Sequence, residues 1–199
     1  MRPTLVIMLK EPRPGRVKTR LGADIGMTNA AWWFRHQAAH LIRKVSDTRW
    51  DIVLAVSPDR EGLTSRAWPQ NLHRMAQGQG DLGDRMARML RAQGSGPVCL
   101  IGADIPAISS RHIARAFELL RSADAVFGPA PDGGYWLIGL KHPHHAPPRM
   151  FENVRWSSEH ALEDTLATLG RLRVVFADTL SDVDTADDLR MTTGGVRAT

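Results

Sequence analysis

Between residues 10 and 22 the chain reads "KEPRPGRVKTRLG", directly after its first apolar run. Lys10, Arg13, Arg16, Lys18 and Arg20 are separated there by Pro12, Pro14, Gly15 and Gly22. Lysine and arginine supply positive charge to phosphate oxygens, and glycine lets backbone approach a ligand closely. The spacing is not that of a Walker loop. A basic loop could also simply be solvated, but its place after a buried strand favours a phosphate grip. Any of the five basic residues, with Gly15 among them, could face phosphate.

Three acidic stretches could complement that charge. In "GADIP", Asp104 ends an apolar run just before a proline, as a turn aspartate would. A carboxylate at a strand end can also hold Mg²⁺ against a diphosphate, because magnesium takes few protein oxygens plus substrate phosphates. In "PDGGYWLIG", Asp132, Gly133 and Gly134 have turn chemistry, and Tyr135 or Trp136 is placed to stack on a ring. In "SDVDTADDL", Asp182 and Asp184 flank the last strand-like stretch and precede a capped helix. Helix capping would explain them fully, and only convergence with Asp104 lifts Asp184 above that reading.

Other reactive residues have plainer explanations. His142, His144 and His145 have no zinc-site spacing and read as surface histidines. Trp32, Trp33, Trp50 and Trp68 read as core or half-buried packing. Chain order alone supports no Ser-His-Asp or Cys-His arrangement.

These residues need a scaffold, and the patterning supplies one. The apolar run at 4–9 reads as a strand buried on both faces, 51–56 as a second strand and 96–104 as the strongest strand signal, with further strands at 124–129, 135–140 and 172–177. Residues 71–76 read as a short extended piece. Helices are expected from Thr28, after the Asp81 cap, from about Ser109, over 157–170 and from Thr185. Strands alternating with helices give a three-layer α/β/α sandwich with a mostly parallel sheet. One domain over 1–199 is expected, with 142–156 as a loop or lid insertion.

Composition excludes several classes. Apolar residues at 43% and charged residues at 24% are those of a globular protein. Net charge is +5, from 26 Lys and Arg against 21 Asp and Glu, yet no run resembles a nucleic-acid arm. The single cysteine, Cys99, reads as a small buried hydrophobe in a reducing compartment. The apolar run at 4–9 is too short for a signal core or membrane span, so a cytoplasmic location is expected.

In order, "PRPGRVKTRL", "GDLGDRM", "LIGADIP", "GPAPDGGYWLIGL", "WSS" and "DVDTADDL" resemble a bacterial family of GT-A-like glycosyltransferases. These are the radical-SAM/selenodomain-associated, or arsenosugar-biosynthesis-type, transferases. The likeness runs from about residue 4 to residue 190. It implies the GT-A fold of the nucleotide-diphospho-sugar transferase superfamily, with Arg16, Lys18 and Arg20 on the phosphates. It implies Mg²⁺ (or Mn²⁺) on Asp104 and Asp184, with Asp132 to Tyr135, Trp156 and Ser157 lining the acceptor side.

The activity implied is transfer of a sugar from a nucleotide-sugar donor to a small-molecule acceptor, without nucleic acid or membrane. Lys18 would stabilise the leaving diphosphate and Asp132 would activate the acceptor hydroxyl. An alternative is nucleotidyl transfer, because "GRVKTRL" also resembles the phosphate loop of 2-phospho-L-lactate guanylyltransferases. A basic module binding RNA or a protein ranks last, since it leaves the strand-end acids unexplained.

Overall fold

The computed structural model describes residues 2–194. Met1 and residues 195–199, part of the expected domain span, lie outside the described residues.

Strands β1 (Thr4–Lys10), β2 (Asp51–Ser57), β3 (His73–Ala76), β4 (Val98–Ile101), β5 (Ala125–Pro129), β6 (Tyr135–Leu140) and β7 (Val174–Phe176) form one seven-stranded sheet. Their order is β3-β2-β1-β4-β6-β5-β7, and only β6 runs against its neighbours. The expected three-layer, mostly parallel architecture is therefore present. Alternate residues of β1 feed opposite layers: Leu5, Ile7 and Leu9 enter one core, and Val6 enters the other.

The first layer is built by α2 (Met27–Lys44) and α5 (Ser110–Leu119), which bury Phe34, Leu41, Ile42 and Ile113 against the sheet. The opposite layer contains α4 (Leu82–Arg91), with Met86, Met89 and Leu90 inward. Met150, Phe151 and Val154, from the 142–156 segment, pack into that same layer. Among the described residues no helix is long and apolar enough to cross a membrane.

The helix ends follow local chemistry. Asp81 and Asp84 form a reciprocal capping box at α4, and Ser109 caps α5 as its position suggests. Thr185 and Asp188 bond reciprocally at the start of α7 (Ala186–Gly194).

Several boundaries differ from the sequence reading. Residues 19–25 form a helix, α1 (Thr19–Ile25), where a continuous loop was expected. Arg20 therefore sits on a helix, and Lys18 immediately precedes it. The N-cap of α2 is Gly26, not Thr28, because α1 ends directly against it. A short helix α3 (Asp59–Thr64) was not anticipated. The expected helix over 157–170 contracts to α6 (Ala161–Ala167); the left-handed backbone of Ser157 keeps that residue out of any right-handed helix, and Gly170, φ 62°, lies beyond the other end. Trp32 is 64% exposed and stacks on His36, so it is not core packing, whereas Trp50 and Trp68 are buried.

Cys99 is fully buried in β4, and burial pushes its thiol well above the ordinary range. It is expected to stay silent to an aromatic disulfide reagent in the native protein and to react in urea. Rapid native reaction, followed by absorbance, would mean that β4 opens readily.

Candidate functional site

The strand order fixes where a ligand can sit. From β1 the chain builds outward to β2 and β3, then crosses to place β4 on the other side of β1. That reversal makes the β1/β4 boundary a topological switch point, where the following loops diverge and leave a crevice. Register sharpens it: β4 pairs with β1 only up to Ile7–Ile101, so Gly102, Ala103 and Asp104 leave the sheet while β1 continues to Lys10. A cleft of about 930 Å³ opens there.

Lys18 and three aspartates meet in this cleft. The Lys18 Nζ donates to Asp104 Oδ2 at 2.7 Å and to Asp184 Oδ1 at 2.6 Å, with Asp182 Oδ2 at 3.6 Å. Its side chain is only 8% exposed. Arg20 reaches Asp184 from outside at 3.3 Å. Lys18 itself has a left-handed backbone, φ 46°, at the N-cap of α1. A non-glycine residue in that region costs on the order of 1–3 kcal/mol, so the surrounding packing must hold it there.

The C-terminal segment delivers its two acids by alternation. Val183 is fully buried and its N–H donates to the Asp104 carbonyl at 3.3 Å, docking this segment onto the end of β4. Its neighbours Asp182 and Asp184 thereby both line the cleft. Sequence reasoning carried Asp184 forward but not Asp182; the acid–valine–acid pattern was the available signal.

The electrostatics follow from this crowding. Burial alone pulls the Lys18 ammonium pKa down, but the charge and hydrogen bond of Asp104, then those of Asp184, outweigh it and raise the pKa. Asp182 is raised, first by desolvation, against the opposing pull of Lys18 and with further push from Asp184, Asp104 and Asp132. The three carboxylates can each offer an oxygen within 4.8 Å of the others. An all-carboxylate donor set suits hard divalent cations, and a cationic group already sits at its centre.

The opposite wall carries the expected acceptor-side residues. Asp132, Gly134, Tyr135, Trp156 and Ser157 line the cleft. Asp132 Oδ1 accepts from the Gly134 N–H at 2.9 Å. Gly133 does not line the cleft; its backbone, φ 82°, lies flat against Glu159, and its carbonyl accepts from the Leu162 N–H at 3.0 Å. Tyr135 packs edge-on to Phe127 with its hydroxyl 3.3 Å from Thr165 Oγ1, and burial raises its pKa. Trp136 is buried and bonded to the Asp178 carbonyl, so it cannot stack on a ligand. Trp156 packs on Phe151 beside Gly83. A bidentate pair from Arg155 to Asp164 braces this rim and holds the Asp164 carboxyl well below the usual range.

Of the other basic residues, Lys10 and Arg16 line the cleft and Arg13 lies outside its lining. Arg16 is exposed, lines the cleft and lies 3.9 Å from Glu61. Gly15, φ 74°, is outside the lining and has open space around it. Gln77, not singled out in the sequence, is 3% exposed and lines the far end. Its Nε2 donates to the Leu9 and Ala55 carbonyls at 3.1 and 2.8 Å, which fixes the orientation of the amide.

Residues 41–158, more than half of the chain, match the family described as "uncharacterized protein conserved in bacteria" (DUF2064). The chain belongs to the DUF2064 family. No functionally curated protein matches it. Among solved structures, this DUF2064 protein is similar to a protein from Desulfovibrio desulfuricans G20, provisionally described as a nucleotide-diphospho-sugar transferase. The two are 29% identical over 100% of this chain and 90% of that one, with a TM-score of 0.85.

More distant likenesses share the fold. One is the Rv0371c protein of Mycobacterium tuberculosis H37Rv in complex with manganese, 14% identical, covering 98% of this chain and 100% of that one, TM-score 0.57. Another is CMP:2-keto-3-deoxy-manno-octonic acid synthetase complexed with CTP, 11% identical, covering 98% of both chains, TM-score 0.62. The whole-chain likeness to the Desulfovibrio protein, together with the cleft at the switch point, marks the DUF2064 protein as an enzyme.

Proposed function

We propose that this enzyme transfers a sugar from a nucleotide-diphosphate donor to a small-molecule acceptor hydroxyl. The observation that carries the reading is the meeting of Lys18 and Arg20 with Asp104, Asp182 and Asp184 at the switch point of the sheet. The ordered motifs shared with the radical-SAM/selenodomain-associated transferases support it, as does the 29% identity to the Desulfovibrio protein. In this reading residues 2–194 are one GT-A-like domain, with 142–156 inserted at its rim.

Asp104, Asp182 and Asp184 would hold a divalent cation, Mg²⁺ or Mn²⁺, which when bound neutralises charge on a diphosphate. The acceptor oxygen attacks the anomeric carbon, the bond from that carbon to the diphosphate oxygen breaks, and the nucleoside diphosphate leaves with the electron pair. Asp132 takes the hydroxyl proton on its Oδ2, the oxygen not bonded to Gly134. Lys18, Arg20 and, at the mouth, Arg16 stabilise the charge growing on the leaving group. Tyr135, Trp156 and Ser157 shape the acceptor wall.

A second reading, nucleotidyl transfer from a nucleoside triphosphate with release of pyrophosphate, has its own support: the synthetase crystallised with CTP shares this fold. The two readings differ in their products. Thermal-shift screening with UDP, GDP, CDP, dTDP, GTP and UDP-sugars, with and without Mg²⁺, is the first test. A ligand at a hundred times its Kd adds about 2.7 kcal/mol, or roughly 5–11 °C in a chain this size. Turnover of the responding nucleotide should release a nucleoside diphosphate. Pyrophosphate as the product would replace the first reading by the second, and silence across the panel would count against both.

A further inference from the structure

The Lys18 ammonium stands where a divalent cation would have to bind. Its Nζ lies 2.6 and 2.7 Å from the Asp184 and Asp104 oxygens, and 3.6 Å from Asp182. An ammonium has three donors, which suits three surrounding carboxylates. A magnesium ion would need the same oxygens at about 2.0–2.1 Å. The two cations cannot share that space, and a unit charge beside a double charge a few ångströms away is strongly repelled. The ammonium is also held on purpose: its backbone is in the left-handed region and its side chain is nearly enclosed.

We propose that Lys18 is the resident counter-ion of this site and that a divalent cation must displace it. The proposal rests on the transferase reading above. Lys18 lines the cleft, so its flexible stem can swing the ammonium from the carboxylates to a phosphate oxygen. With no phosphate present, the displaced ammonium has no equivalent partner and the cation binds weakly. A phosphate ligand supplies that partner, so cation and phosphate each strengthen the other's binding by the same factor. The free enzyme thereby keeps its acidic cluster neutralised and binds a divalent cation tightly only together with the diphosphate it serves.

The chain contains only four lysines, Lys10, Lys18, Lys44 and Lys141, which makes amine labelling a clean readout. The native protein would be acetylated with a water-soluble activated ester and the rate at each lysine followed by mass spectrometry. Conditions would be no addition, Mn²⁺ alone, and Mn²⁺ with inorganic pyrophosphate; bound Mn²⁺ would be counted separately by electron paramagnetic resonance. Saturating Mn²⁺ should raise Lys18 labelling on the order of tenfold, and pyrophosphate should tighten Mn²⁺ binding by about fivefold or more. Pyrophosphate should then protect Lys18 again, while Lys44 and Lys141, which lie outside the cleft lining, stay unchanged throughout. Bound Mn²⁺ with Lys18 labelling unmoved would overturn the displacement and leave the transferase reading intact. No Mn²⁺ bound under any condition would remove the cation from that reading, and the displacement with it.

Discussion

Replacing Asp104 by Asn is expected to reduce transfer by about 10²–10³-fold, the cost of removing one preorganised group that stabilises transition-state charge. The side chain keeps its shape, so the fold should not suffer. Asp104 is half-buried at the end of β4, and Lys18 retains Asp184 at 2.6 Å when the Asp104 charge is gone. What is lost is one of three carboxylates that lie within 4.8 Å of one another, together with a main reason Lys18 is held in the cluster. Steady-state turnover, Mn²⁺ binding and a melting curve separate the consequences. Turnover and Mn²⁺ affinity should both fall while the melting temperature changes little. Full turnover in the variant would mean that the acidic cluster is structural and that the chemistry lies elsewhere in the cleft.

The second large effect is on stability. Gly133→Ala should destabilise the protein by about 3 kcal/mol, for two reasons that add. The residue has φ 82°, which an alanine adopts only with strain, and a Cβ there would collide with the Glu159 backbone. Neither side can give way cheaply, because Gly133 is tied to α6 through the Leu162 N–H. A loss of this size lowers the melting temperature by roughly 6–12 °C in a domain of this length. Any surviving fold should also have displaced the 157–161 segment, which carries Ser157 on the cleft wall. Gly15→Ala is the control: φ is 74°, but nothing lies within 4 Å of a Cβ, so only backbone strain of about 1 kcal/mol is expected. Equal melting temperatures for the two variants would contradict the packing argument.

Much of this protein was legible along the chain because the signals are local. The apolar runs at 4–9 and 51–56 became buried parallel strands, 96–104 became one only over 98–101, and Asp81, Ser109 and Thr185 cap the helices they precede. Both kinds of signal depend on periodicity or on a side chain bonding its own backbone a few residues away. The errors came where a tertiary contact overrode a local preference. Residues 19–25 turn helical behind a left-handed lysine, and Ser157 breaks the helix that "SSEHALEDTLATLG" would otherwise form. Trp32 stays exposed because it lies off the buried stripe of α2, which runs through Ala31, Phe34, Ala38, Leu41 and Ile42.

The sequence by itself determined the alternating α/β architecture, the basic stretch after β1 and the acids at the strand ends. Only the tertiary structure decided that these charges face one another. Placing β4 beside β1 brings Asp104 to Lys18, and the Val183 N–H on the Asp104 carbonyl brings in Asp182 and Asp184. Lys18 and Asp184 are 166 positions apart. No local rule relates residues at that separation. Their contact exists because buried strands fix the two backbones, and because an ammonium leaving water is most stable among carboxylates.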